Sequence, residues 1–111
     1  MTALLFDPVI HPPARLRIMA VLAGVSEAEF ALLRDTTEVS DSVLSKHLSA
    51  LADAGYVTLR KAAVNGRQRT WAMRTRAGAK AFKAHVAALT RMAQAADTAD
   101  QASAGGAGSD K

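Results

Sequence analysis

The chain contains no cysteine. Disulfides, thiol redox sensing, thiolate metal sites and a cysteine nucleophile are therefore excluded together. Aromatic residues are few (three phenylalanines, one tyrosine, one tryptophan), so a core has to come mainly from aliphatic side chains. No stretch approaches the ~20 consecutive apolar residues of a membrane span. The opening MTALLFDPVI has no basic leader, and Asp7 and Pro8 interrupt its apolar run, which does not match a secretory signal. A cytoplasmic protein with no membrane partner is expected. A Gly-rich phosphate loop, HExxH and GxSxG are also missing. Asp35, Glu38 and Asp41 cluster, but capping and solvation account for them. No enzyme activity and no cofactor is expected. His11, His47 and His85 are widely spaced, which argues against a histidine metal site.

The most informative absence is acid. Between Asp53 and Asp97 there is no aspartate or glutamate, whereas Arg60, Lys61, Arg67, Arg69, Arg74, Arg76, Lys80, Lys83 and Arg91 all fall there. A one-signed segment of this length on a chain of net charge +4 is an electrostatic footprint for a polyanion. Lysines on an Ala-rich helix also serve solubility, which suits Lys80, Lys83 and Arg91. It suits the 60–76 cluster less well, because that region does not read as a helix.

With 111 residues, half of them apolar, the chain is long enough for one domain. Burial in so small a domain is modest, so dimerisation would add to it. The stretch Val39 to Tyr56, VSDSVLSKHLSALADAGY, organises the rest. Ser40 is a good N-cap and Asp41 places a negative charge at the positive end of the helix dipole. Leu44, Leu48 and Leu51 share one face by spacing. Ser42, Ser45, Lys46, Ser49 and Asp53 point the other way. Such a short polar face can lie flat in a major groove. A solvated helix face is the alternative reading. Gly55 ends the helix.

Before it, Pro12 and Pro13 suit a helix start, and PARLRIMAVLA is apolar on two sides. The second side is expected to meet another subunit. Gly24 ends that helix. Ser26 and Glu29 have capping-box spacing, which predicts a second helix over SEAEFALLRDT with Phe30 and Leu33 as anchors. A short linker to the third helix completes a helix-turn-helix. After Gly55, YVTLRKAAV and RQRTWAM flank Asn65-Gly66, the strongest short hairpin signal. Arg67 and Arg69 sit at its tip with Gln68 between them. Such a tip suits phosphate or the minor groove, or is simply a solvated loop. Thr75 can cap a last helix, on which Phe82, Val86, Leu89 and Ala93 form a seam with coiled-coil spacing. From Asp97 on, TADQASAGGAGSDK is expected to be a disordered tail, leaving 1–96 as the folded domain.

The order helix, helix, recognition helix, hairpin, long helix is that of a winged helix-turn-helix, mainly α with a β-hairpin. LSKHLSAL, the AGYV exit, the NGRQRTW wing and the TRAG opening of the final helix resemble winged-helix transcriptional regulators of the MarR/ArsR type, especially the small single-domain dimeric ones. The likeness spans roughly residues 9–93. It implies a homodimer on double-stranded DNA, probing with Ser40, Ser42, Ser45, Lys46 and Ser49 of the recognition helix, and with Arg60, Arg67, Gln68 and Arg69 of the wing. His47 would stand at the helix–DNA edge or pack against the core. The resemblance implies dimerisation through residues 1–23 and 79–96, with Leu16, Met19, Phe82, Val86 and Leu89 as the contacts. Two recognition helices would then lie ~34 Å apart on a pseudo-palindromic site. A repressor is the implied role, with a small-molecule effector as a further partner; Leu16, Met19, Phe82 and Val86 are candidate lining for its pocket, the alternative being plain core, the commoner place for apolar residues at helical spacing. The alternative is a winged helix that docks proteins without touching DNA. That reading calls for apolar residues on the recognition face and wing tip, where this chain has Ser, Lys, Arg and Gln.

Overall fold

The computed structural model describes residues 6–107. Its elements are α1 (Pro13–Ala23), β1 (Ala28–Glu29), α2 (Phe30–Thr37), α3 (Asp41–Asp53), β2 (Val57–Val64), β3 (Arg67–Arg74) and α4 (Arg76–Ala107). The strands form one antiparallel sheet in the order β1-β3-β2. This is the α+β winged helix-turn-helix architecture expected from the sequence, with a third strand that the sequence did not announce. None of the described helices is long and apolar enough to cross a membrane.

The core is aliphatic. Ile18, Met19 and Leu22 of α1 meet Leu33 of α2 and Leu44, Leu48 and Leu51 of α3, all essentially without solvent contact. Each such side chain contributes about 2 kcal/mol of hydrophobic free energy. Met19 is thus a core residue of its own chain and has no surface to offer a partner, contrary to the dimer contact expected for it. The reason is rotational: residues 18, 19 and 22 share the inward face of α1, and Leu16 and Val21 flank that face, half-buried against the same core.

The Ser26–Glu29 capping box does not form. Ala28 and Glu29 pair with Ala72 and Trp71 of β3 instead, and α2 begins only at Phe30, with no side-chain cap. Burial of Ala28 and an ion pair from Glu29 to Arg69 at 2.6 Å favour the strand over an extra helical turn. At the other end of α2, Glu38 adopts φ 59°, the left-handed turn that starts the linker into α3.

The hairpin is as read from Asn65-Gly66, whose φ values of 53° and 77° suit a two-residue turn with both central residues left-handed. Its register runs from Val57 opposite Arg74 to Val64 opposite Arg67. Thr75 caps α4, accepting the Gly78 N–H at 2.9 Å.

The final helix does not stop near Ala96. It continues to Ala107, because seven alanines between positions 93 and 107 make a stretch of high intrinsic helix propensity. Residues 97–107 are therefore helical and not the expected disordered tail. The remainder of that tail, 108–111, lies outside the described residues, as do Leu4 and Leu5 of the N-terminal apolar run. At 32 residues α4 is ~48 Å long. From Thr90 to Gln101 every residue on it is exposed.

Candidate nucleic-acid interface

The outward face of α3 is built as its sequence dictates. Ser40 lies before the first turn, where its hydroxyl accepts the Val43 N–H at 3.2 Å and sits 3.3 Å from the hydroxyl of Ser42. With Leu44, Leu48 and Leu51 turned inward, Ser42, Ser45, Lys46 and Ser49 are all exposed on one side. Arg34 of α2 reaches across to Asp41 at 3.2 Å, tying the start of α3 to the preceding helix. His47 is only half-exposed. Its Nδ1 accepts a hydrogen bond from Nε of Arg15 at 3.0 Å. Burial, and then the Arg15 charge, hold its pKa below the ordinary histidine value. His47 therefore serves as a neutral link between α3 and α1.

The hairpin register divides the basic residues between two faces. Lys61 pairs across the ladder with Thr70 and shares a face with Leu59 and Ala72 on the side of α3. There Lys61, Ser45, Ser49 and Thr70 line a groove of about 200 Å³ between α3 and the sheet. Gln68 falls on the same face. Lys61 is the residue that sequence reasoning passed over. Its alternation with Arg60 was visible, but which of the two would face α3 was not.

Arg60, Arg67 and Arg69 fall on the opposite face. Arg60 lies over the Trp71 ring, 4.3 Å from its centroid, and contacts both carboxylate oxygens of Glu27 at 2.9 and 3.0 Å. Arg69 is half-buried against Glu29. Its Nε is buried without a hydrogen-bond partner. The structure thus brings Ser42, Ser45, Lys46 and Ser49 together with Lys61. Arg67 and Gln68 are left exposed at the wing tip, and Arg60 and Arg69 are committed to acidic partners beside β1. Arg67, Gln68 and Arg69 also border a cleft of about 530 Å³ whose other wall includes Arg34 and Asp41.

A winged-helix DNA-binding domain model matches residues 14–93, which cover both the helix-turn-helix and the wing just described. The chain belongs to the winged helix DNA-binding domain family. Similar proteins and structures accompany that match. An uncharacterized protein of Methanocaldococcus jannaschii is 28% identical over 86 residues, covering 78% of this chain and 94% of that protein. A transcriptional regulator homologue from Pyrococcus horikoshii superposes with a TM-score of 0.76 at 23% identity, over 85% of this chain and 93% of that one. A zinc-responsive MarR family member from Lactococcus lactis gives a TM-score of 0.59 at 18% identity, over 86% and 65% respectively. The winged-helix fold is therefore shared with these structures.

The histidines and the apolar pocket candidates take definite places in this winged helix. His11 and His85 are far apart in sequence, yet their ring nitrogens approach to 3.1 Å. Among the described residues no three His, Asp or Glu side chains group as metal ligands. Nor do Leu16, Met19, Phe82 and Val86 line a pocket together. The cavity beside α4, about 490 Å³, is walled instead by Phe6, Val9, Tyr56, Ala81, Ala84 and His85 among others. Leu16, Met19 and Phe82 turn toward the core, while Val86 remains 39% exposed.

Proposed function

We propose that this winged helix is a sequence-specific DNA-binding transcriptional regulator that acts as a homodimer. The observation that carries the reading is the exposed face of α3, where Ser42, Ser45, Lys46 and Ser49 share one side, Lys61 of the wing borders Ser45 and Ser49 across a groove, and the acidic Asp53 comes only at the last residue of the helix. Short hydroxyl side chains let a helix approach base edges closely, and the lysines meet phosphates on the groove walls. Arg67 and Gln68 at the wing tip reach the flanking backbone. Ser40 caps α3 and lies at the level of the nearest phosphate.

The dimer is formed through the outer half of α4. Val86, Leu89 and Met92 make an apolar line along a helix whose outer half no described element covers, and Met92 is 51% exposed. A two-fold pairing of this kind requires a pseudo-palindromic operator, and occupation of such a site over a promoter represses by occlusion. The cavity between residues 6–9 and α4 is the place for a small-molecule effector, since it adjoins both the domain and the dimer helix.

Selection from a random duplex library tests the reading. The expected product is a pseudo-palindrome with half-sites about one helical turn apart. A selected pool with no consensus would count against sequence-specific recognition.

A further inference from the structure

The three histidines stand on three different segments, His11 before α1, His47 on α3 and His85 on α4. Residues 6–11 join them. His85 is 1% exposed, and its Nδ1 accepts the backbone N–H of Asp7 at 3.0 Å, so that nitrogen carries no proton. The neutral ring then holds its proton on Nε2 and donates it to Nδ1 of His11. Phe6 stacks on His11, with centroids 5.1 Å apart, and meets His85 edge-on at 5.5 Å. The Asp7 carboxylate accepts the Val9 N–H at 2.9 Å and the Tyr56 hydroxyl at 2.5 Å. The Val9 carbonyl accepts Nη1 of Arg15 at 3.2 Å, and Nε of the same arginine donates to Nδ1 of His47.

Each of these three imidazole nitrogens is an acceptor, so each bond requires a neutral ring. A proton on Nδ1 of His85 would face the Asp7 N–H. One on Nδ1 of His11 would face the Nε2 proton of His85. One on Nδ1 of His47 would set two cations against each other, because Arg15 is its partner. The groups facing the rings are Asp7, His11 and Tyr56 around His85, and Arg15 beside His47. The one carboxylate in that set, Asp7, has its oxygens engaged by Tyr56 and Val9. Burial first, and then the neighbouring His11, lower the pKa of His85, with Asp7 opposing.

We propose that residues 6–11 form an acid-released strap, clamped to α4 and coupled through Arg15 to α3 while the imidazoles are neutral, and freed when they take up protons. The strap connects the helix that reads DNA to the helix that pairs subunits, a consequence that rests on the proposed function. The release itself does not.

Amide hydrogen exchange on the full chain tests the release without DNA, so its failure is separate from failure of the DNA-binding reading. Exchange of the Asp7 and Val9 amides is compared with that of Leu48 in the core, corrected for intrinsic rates, near pH 7.5 and near pH 5. The expected result is an opening of Asp7 and Val9 that grows about tenfold or more at the lower pH, the factor for each pKa unit of linkage, and that stays more frequent at both pH values than the opening of Leu48, which follows global unfolding. The exposed His11→Asn variant should show a smaller step. Ring-nitrogen spectra near pH 7.5 should show His85 and His47 protonated on Nε2. A pH-independent opening of Asp7 and Val9, an opening no more frequent than that of Leu48, an undiminished step in His11→Asn, or a His85 proton on Nδ1 would each overturn the proposal.

Discussion

Gly78 of α4 lies directly against the backbone carbonyl of Tyr56, leaving no room for a Cβ. The same carbonyl accepts the Thr75 N–H at 3.0 Å, and the Thr75 hydroxyl donates to the Gly55 carbonyl at 2.6 Å. The exit of α3 is thereby stitched to the first turn of the long helix. Gly78→Ala should lower stability by about 1–3 kcal/mol, the usual cost of forcing atoms into a packed site. Gly24→Ala is the control, since its Cβ would meet only the Val21 carbonyl at 3.7 Å. Its effect should stay within ~0.5 kcal/mol. Urea denaturation measures both, and equal small effects would remove the close approach from the account.

The division of bases between two sheet faces predicts unequal roles on DNA. Lys46→Ala and Lys61→Ala should each weaken operator binding and reduce the salt slope by about 0.9 per subunit if each meets one phosphate. Arg67→Ala should behave similarly. Arg60→Ala and Arg69→Ala should change the slope less, because Glu27 and Glu29 already neutralise those side chains. Titrations at several salt concentrations decide the matter. A larger slope change for Arg69 than for Lys61 would reverse the assignment of the two faces.

The exposed line on α4 predicts a specific route to monomers. Leu89→Glu should shift sedimentation from dimer to monomer while leaving thermal unfolding of the domain cooperative. Met92→Glu, further out on the helix, should act in the same direction. A dimer that survives both substitutions would place the interface elsewhere.

His47 and His85 are both held below the ordinary histidine pKa, for His47 by burial and then Arg15, for His85 by burial and then His11. The unfolded chain therefore binds more protons as pH falls below ~6.5, and stability rises with pH across that window. The contribution is fully present above about pH 6.5 and is lost as pH falls through the depressed folded values. Carboxylates titrate lower, near 4, so the window separates the two effects. The urea midpoint near pH 7.5 should exceed that near pH 5.5. A flat profile would contradict neutral, bonded histidines.

Much of this was legible in the sequence where a local signal acts alone. Ser40, Gly55, Asn65-Gly66 and Thr75 are caps and turns whose chemistry is decided within a few residues, and each does in the structure what its type suggests. The leucine spacing of α3 gave the exposed serine face by subtraction. What sequence could not supply was long-range choice. Glu29 had two partners open to it, the first turn of a helix or Arg69 forty residues away, and strand pairing at Ala28 decided for Arg69. Met19 lay on an apolar face whose direction depended on where α2 and α3 would pack. His11 and His85 meet only because residues 6–11 fold back across α4, a contact between positions 74 apart with no periodic or spacing signal.

The central claim is that the α3 face reads a DNA sequence. Fluorescence anisotropy with the duplex upstream of the chain's own gene, beside a scrambled duplex of equal length, tests it most directly at low and near-physiological salt. The account predicts binding to the upstream duplex about 10³-fold or more tighter than to the scrambled one, with the preference reduced by Lys46→Ala. No binding to either duplex at low salt would contradict it.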